Sequence, residues 1–175
     1  MSIRSFEEKT PLISESSYID ETAVIIGDVV IGESSSIWPM TVIRGDINSI
    51  RIGNKTSIQD GTVIHVSHAG DFNPTGNPVV IGDQVTIGHQ VTLHGCTIYD
   101  LCLIGIGSIV MDEVLIESEV ILAAGSLVPP GQILTGGHLW LGSPAKKIRP
   151  LTEREKQHLR YSAEYYVKLG NRHRK

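Results

Sequence analysis

Apolar residues recur along this chain every six positions, a spacing that fits neither the 3.6-residue turn of a helix nor the two-residue alternation of a long strand. Stepping from Ile19 gives Ile25, Ile31, Ile37 and Ile43; after a three-residue slip come Ile52, Ile58 and Ile64, and after a longer break Ile81, Ile87 and Leu93. A one-residue contraction leads to Ile98, Ile104, Val110, Ile116, Leu122 and Val128, so all seventeen positions are Ile, Leu or Val. Four residues after each stands a small or β-branched side chain, from Ala23 to Ser126. The exceptions are Ile47, His68 and Gln132, each in the last hexad of an unbroken block, where the pattern predicts that the chain leaves its coil. Glycines one or two positions after the aliphatic residue, such as Gly27, Gly32, Gly88 and Gly105, fit tight corners.

A period of six with short strands is the signature of a parallel β-helix, a triangular prism whose coils hold three hexads each and stack about 4.8 Å apart. Seventeen hexads predict between five and six coils, an all-β body over residues 1–148 with a loop at about residues 66–80. Beyond it the pattern changes. Thr152 and Glu155 form a capping box after Pro150, and Leu159, Ala163, Tyr166 and Val167 follow at i, i+4, i+7 and i+8. Residues 149–175 are therefore predicted as a C-terminal α-helix packed along the prism within the same structural unit. Gly170 reads as its stop, and the last five residues as frayed.

Composition narrows the class. A chain of 175 residues fits one domain, and 23 Ile and 15 Val against only 9 aromatics fit a strand-built core. No apolar run approaches the ~18 residues of a membrane span, and the first twenty residues lack a basic region leading into an apolar one, so no signal peptide is read. Two cysteines, Cys96 and Cys102, fit a reducing compartment and read as small interior residues. The expectation is a cytoplasmic protein with no membrane partner. The net charge of −4 is uneven: residues 1–145 carry −11 and residues 146–175 carry +7. That predicts a basic terminal segment lying on its own acidic body or on a neighbouring subunit, while the acidic body argues against nucleic acid.

The repeat fixes the geometry of three of the seven histidines. If the loop leaves and rejoins at one corner, the second positions of the hexads at Ile43, Ile64 and Leu93 form a column: Arg44, His65 and His94, each about 4.8 Å from the next. The third positions of the hexads at Ile58 and Ile87 form another, Asp60 and His89, with Gln59 beside it. His89 and His94 are five residues apart, roughly 16 Å if extended, so one chain does not easily bring both to one metal. Two histidines on one column and a third on another predict a site completed by a neighbouring chain in a cyclic trimer. Three imidazoles with a fourth position for water is a catalytic zinc arrangement. Gln59, Asp60 or Asp46 are candidates to orient ligands or water.

These residues resemble a known family. Arg44-Gly45-Asp46, Ile58-Gln59-Asp60, His65, Gly88-His89 and His94-Gly95, with Leu141-Gly142-Ser143-Pro144-Ala145 before the helix, look like the γ-class carbonic anhydrases and their bacterial relatives over residues 10 to 170. The resemblance implies a homotrimer of left-handed β-helices holding zinc, or iron or cobalt, at subunit interfaces. His65 and His94 would come from one chain and His89 from the next. It further implies that Arg44 and Asp46 form inter-subunit ion pairs and that Gln59 and Asp60 lie near the metal water. The implied reaction is attack of metal-bound hydroxide on carbon dioxide, giving bicarbonate. The sequence departs from the best-characterised pattern where Ile47 replaces an acid after Arg44-Gly45-Asp46, and where the loop offers only Asp71 as a carboxylate. His68 is then the candidate proton shuttle. The same repeat also builds acyltransferases, and a metal-dependent acyl-CoA thioesterase is a related alternative.

Overall fold

The computed structural model describes residues 2–174. Short parallel strands wind into three flat faces, and each face stacks seven rungs. On the first face the inward residues are Ile3, Ile25, Ile43, Ile64, Leu93, Val110 and Val128. The second stacks Ile13, Ile31, Ile52, Ile81, Ile98, Ile116 and Leu134. The third stacks Ile19, Ile37, Ile58, Ile87, Ile104, Leu122 and Trp140. Seventeen of these twenty-one residues are the hexad positions, and the middle rungs are sealed from solvent. Each fully buried Ile or Leu contributes about 1.5–3 kcal/mol relative to an exposed one.

Two expectations about the coil need correction. The stack is longer than five to six coils, because the six-residue step continues upward through Ile13 and downward through Leu134 to Trp140, and Ser2–Arg4 adds a further rung. Nor does the chain leave the coil at Gln132, and at Ile47 it leaves only for a short bulge. Strand Val42–Ile52 runs on through the first anomaly, where Gly27 pairs with Gly45 and Val29 with Ile50, so residues 46–49 bulge outward and Ile50 takes the interior place. The Gln132 side chain folds against the base of the prism and donates to the Ala145 carbonyl.

Of the four glycines read as corners, Gly27 is left-handed at φ +81° but Gly32, Gly88 and Gly105 are not. Gly88 needs no left-handed backbone; a Cβ there would meet the next rung's backbone, Ile106 N at 2.9 Å. Among the described residues, left-handed backbone is shared by glycines and other types alike, the latter including Ser34, Lys55, Gln84 and Leu101.

The third face is covered by the C-terminal helix, Glu153–His173. Its start is the predicted capping box: Thr152 Oγ1 accepts from Glu155 N, and the Glu155 carboxylate accepts from Thr152 N. Gly170 is not a stop. It is buried where the helix crosses Tyr18 and Ser36, whose Cβ atoms a side chain would meet at 3.2 and 3.4 Å, and the helix continues to His173. The described end is held, with Arg174 donating to the carbonyls of Glu15 and Ser16; Lys175 lies outside the described residues. The basic helix does rest on the acidic body, Arg160 meeting Glu119 at 2.9 Å. Before the helix, His138–Gly142 and Ala145–Pro150 pair antiparallel, an ending the repeat did not announce. No helix among the described residues is long and apolar enough to cross a membrane.

Candidate metal centre

The predicted column exists. Arg44 pairs in register with His65, and His65 with His94. The imidazoles meet edge on, with His65 Nδ1 3.2 Å from His94 Nε2. The remaining nitrogen of each ring is held by a carboxylate: His65 Nε2 lies 3.1 Å from Asp46 Oδ1, and His94 Nδ1 lies 2.8 Å from Asp112 Oδ2. Asp46 reaches His65 because it sits at the start of the 46–49 bulge, so the three-residue slip in the repeat is what builds this contact. Arg44 binds the other oxygen of Asp46 within the same chain.

The protonation states follow from this network. Hydrogen bonds from Arg44 and His65 hold the Asp46 carboxyl below its ordinary range despite burial. Asp112 is lowered in the same sense by Ser67, Asn77 and His94. Burial drives the His65 pKa down, with Arg44 and His94 adding to the effect against the pull of Asp46. A neutral His65 donates its Nε2–H to ionised Asp46, and His94 donates its Nδ1–H to ionised Asp112. With both rings in that tautomer and uncharged, the facing nitrogens 3.2 Å apart both carry lone pairs, an arrangement that a shared proton or a metal cation satisfies. Two ligand nitrogens at about 2.0–2.1 Å in a tetrahedral shell stand roughly 3.3–3.4 Å apart, so the donor set fits zinc.

His89 lies on the other edge of the first face. Its Nδ1 is 2.9 Å from Asp60 Oδ2, the second predicted column, and its half-exposed ring leaves Nε2 without a partner among the described residues. Within one chain, and among the described residues, no three of His, Cys, Asp and Glu gather closely enough to hold a metal. Gln59 is buried beside a cleft of about 320 Å³ between the third face and the helix, where its amide faces the Tyr166 hydroxyl. Gly88, Ile106, Tyr161 and Tyr165 also line that cleft. His68 sits in the loop beside Ser67 and Asp71 and makes no side-chain hydrogen bond to either site histidine among the described residues.

Asp112 is the residue the sequence reading missed. It occupies the third position of the hexad at Val110, one rung below His94. Cys96 and Cys102 are interior residues as expected, their thiols pushed up to about 12 by burial. His173 packs its ring tilted against Tyr18 and edge-on to Trp38, and His158 stacks on Tyr161, so neither belongs to the centre.

The fold and this corner define a hexapeptide-repeat β-helix with a paired-histidine site. Protein YrdA of Escherichia coli K12 is 49% identical over 166 residues, covering 95% of this chain and 90% of that one. The Geobacillus kaustophilus protein named carbonic anhydrase is 42% identical over 168 residues, covering 96% and 88%. Gamma carbonic anhydrase 2 of Arabidopsis thaliana mitochondria is 41% identical over 95% of this chain, which spans 59% of its length. A solved hexapeptide transferase family protein from Anaplasma phagocytophilum superposes with a TM-score of 0.90 at 43% identity, covering 97% and 96% of the two chains. No protein-family model matches the chain. The chain belongs to the γ-class carbonic anhydrase-like family.

Proposed function

We propose that this protein is a homotrimeric zinc metalloprotein that hydrates carbon dioxide reversibly at sites shared between protomers. The observation that carries the reading is the facing ring nitrogens of His65 and His94, 3.2 Å apart with both remaining ring nitrogens on carboxylates, while His89 stands on the opposite edge of the same face. Between those edges the outward row is Val42, Val63, Thr92, Ile109 and Leu127, with Val63 and Ile109 each 41% exposed. Three such apolar rows facing a common axis bury one another and bring the His89 edge of one protomer to the His65 and His94 edge of the next.

In this reading His65, His94 and the neighbour's copy of His89 hold the metal. A zinc ion there supplies Lewis acidity that makes water acidic near neutral pH, the chemistry carbon dioxide hydration needs. Asp46, Asp112 and Asp60 fix the tautomer and direction of the three imidazoles. Gln59, held near Tyr166, offers an amide to an oxygen of carbon dioxide or of bicarbonate. Arg44 is anchored on Asp46 and half-exposed, which leaves further guanidinium donors for the adjoining protomer.

A second reading, acyl transfer or thioester hydrolysis, is favoured by one observation: the cleft beside Gln59 and Gly88 is much larger than carbon dioxide requires. Stopped-flow carbon dioxide hydration on protein of assayed zinc and iron content, with His94→Ala as control, separates the two. Metal-dependent hydration lost in the variant supports the first reading. A metal-loaded protein without hydration but active on an acyl-CoA replaces it with the second.

A further inference from the structure

The loop after His65 closes at a neck where Ser67 and Asn77 exchange backbone hydrogen bonds, Ser67 N to Asn77 O at 3.0 Å and Asn77 N to Ser67 O at 3.1 Å. Both neck residues also donate from their side chains to one atom, Asp112 Oδ1: Ser67 through its hydroxyl and Asn77 through Nδ2 at 3.2 Å. The other oxygen of that carboxylate takes the Nδ1–H of His94. We propose that Asp112 is a positioning residue that couples the closed state of the 66–78 loop to the metal-ready orientation of His94. The inference rests on the metal reading above.

The packing around this carboxylate leaves it little choice. Gly95, directly after His94, has no room for a side chain: a Cβ would meet Asp112 Oδ1 at 2.4 Å and Asn77 Cβ at 2.7 Å. Gly76, before the neck, is equally confined, with Ser67 O at 2.5 Å and a φ of +63°. From the opposite side Asn48 Nδ2 donates to the Ser67 carbonyl at 3.1 Å, so the bulge that carries Asp46 also grips the neck. The loop, both carboxylates and both histidines thus form one connected network. When the neck opens, Asp112 loses two donors, and an unpaired ionised carboxylate then swings toward water rather than holding His94. Linkage makes the coupling reciprocal: whatever favours metal on His94 favours the closed neck.

The test uses the full-length protein and zinc. Wild type and Asp112→Asn are titrated with zinc by competition with a chromophoric chelator. Hydrogen exchange of the Ser67 and Asn77 amides is then measured with and without zinc. Ser67→Ala, whose side chain hydrogen-bonds to Asp112 and not to His65 or His94, is a second variant should Asp112→Asn fold poorly. The expected result is zinc binding weakened about 10–100-fold in Asp112→Asn, weakened in the same direction in Ser67→Ala, and neck amides that zinc slows in wild type but not in Asp112→Asn. Wild-type zinc affinity in both variants, or neck amides indifferent to zinc in the wild type, overturns the coupling. A wild type that binds no zinc is identified before any variant is compared; it overturns the metal reading, and the coupling with it.

Discussion

His65 and His94 sit on adjacent rungs of one face with ring nitrogens 3.2 Å apart, and each is turned toward the other by a carboxylate behind it. The parallel strand register brings the two side chains close, as it does every column in the prism. What distinguishes this column is that Asp46 and Asp112 each engage the outer nitrogen of one ring, which leaves the two inner nitrogens facing each other. In the proposed function that pair supplies two of the three imidazoles of each metal centre.

Removing one imidazole should separate metal from fold. His94 projects from a corner and is partly exposed, while the neighbouring Leu93 fills the core. His94→Ala is expected to keep the far-ultraviolet circular dichroism of the wild type and to lose stoichiometric zinc by elemental analysis. Unchanged zinc content would remove His94 from the site.

The converse holds in the core. Ile116 is completely buried in the second face, three rungs from the Ile52 rung and away from the histidines. Ile116→Ala should cost about 2–5 kcal/mol through lost burial and a residual cavity. Denaturant unfolding checks this, and the folded variant should retain its zinc. A cost near zero would mean that the interior repacks freely, against the close stacking of the prism.

Gly170 belongs to the helix contact and not to its end. Valine there would add methyls where Cβ alone already approaches Tyr18 Cβ at 3.2 Å and Ser36 Cβ at 3.4 Å. Gly170→Val is expected to lose about 1–3 kcal/mol by overpacking and to make the C-terminal turns protease-sensitive. A stabilised variant would show that helix propensity outweighs this contact.

Acid should weaken the start of the same helix. Hydrogen bonds from Arg149 and Thr152 lower the Glu155 pKa from 4.5 to about 2. Because the folded value is the depressed one, the contribution to stability is complete above the unfolded pKa near 4.5 and is lost as pH falls toward 2. Between those limits Glu155→Gln should converge on the wild-type melting temperature as pH falls. A difference that stays constant from pH 6 to pH 2.5 would contradict the assignment.

The six-residue step made the prism legible because each Ile, Leu or Val had to face the interior, and stacking the hexads placed Arg44, His65 and His94 in one column and Asp60 with His89 in another. The capping box at Thr152 and Glu155 was equally local. Asp112 escaped because its hexad carries no histidine, although comparing third positions down the column, Gly95 and then Asp112, points to it. The slip after Ile43 was visible, but not that its extra residues would aim Asp46 at His65. Gly170 was misread because a helix stop and a helix contact both favour glycine, and only the crossing with Tyr18 tells them apart. The antiparallel pairing of Ala145–Pro150 left no pattern because that strand is exposed along nearly its whole length.

The central claim is that each site draws His65 and His94 from one protomer and His89 from its neighbour. It is tested most directly by refolding His89→Ala and His94→Ala protein together and measuring zinc per chain. Each variant alone should bind none. In randomly mixed cyclic trimers about one site in four pairs an intact His65 and His94 with an intact neighbouring His89, so the mixture should recover about a quarter of the wild-type zinc. Trimers that mix but recover no zinc would contradict a shared site.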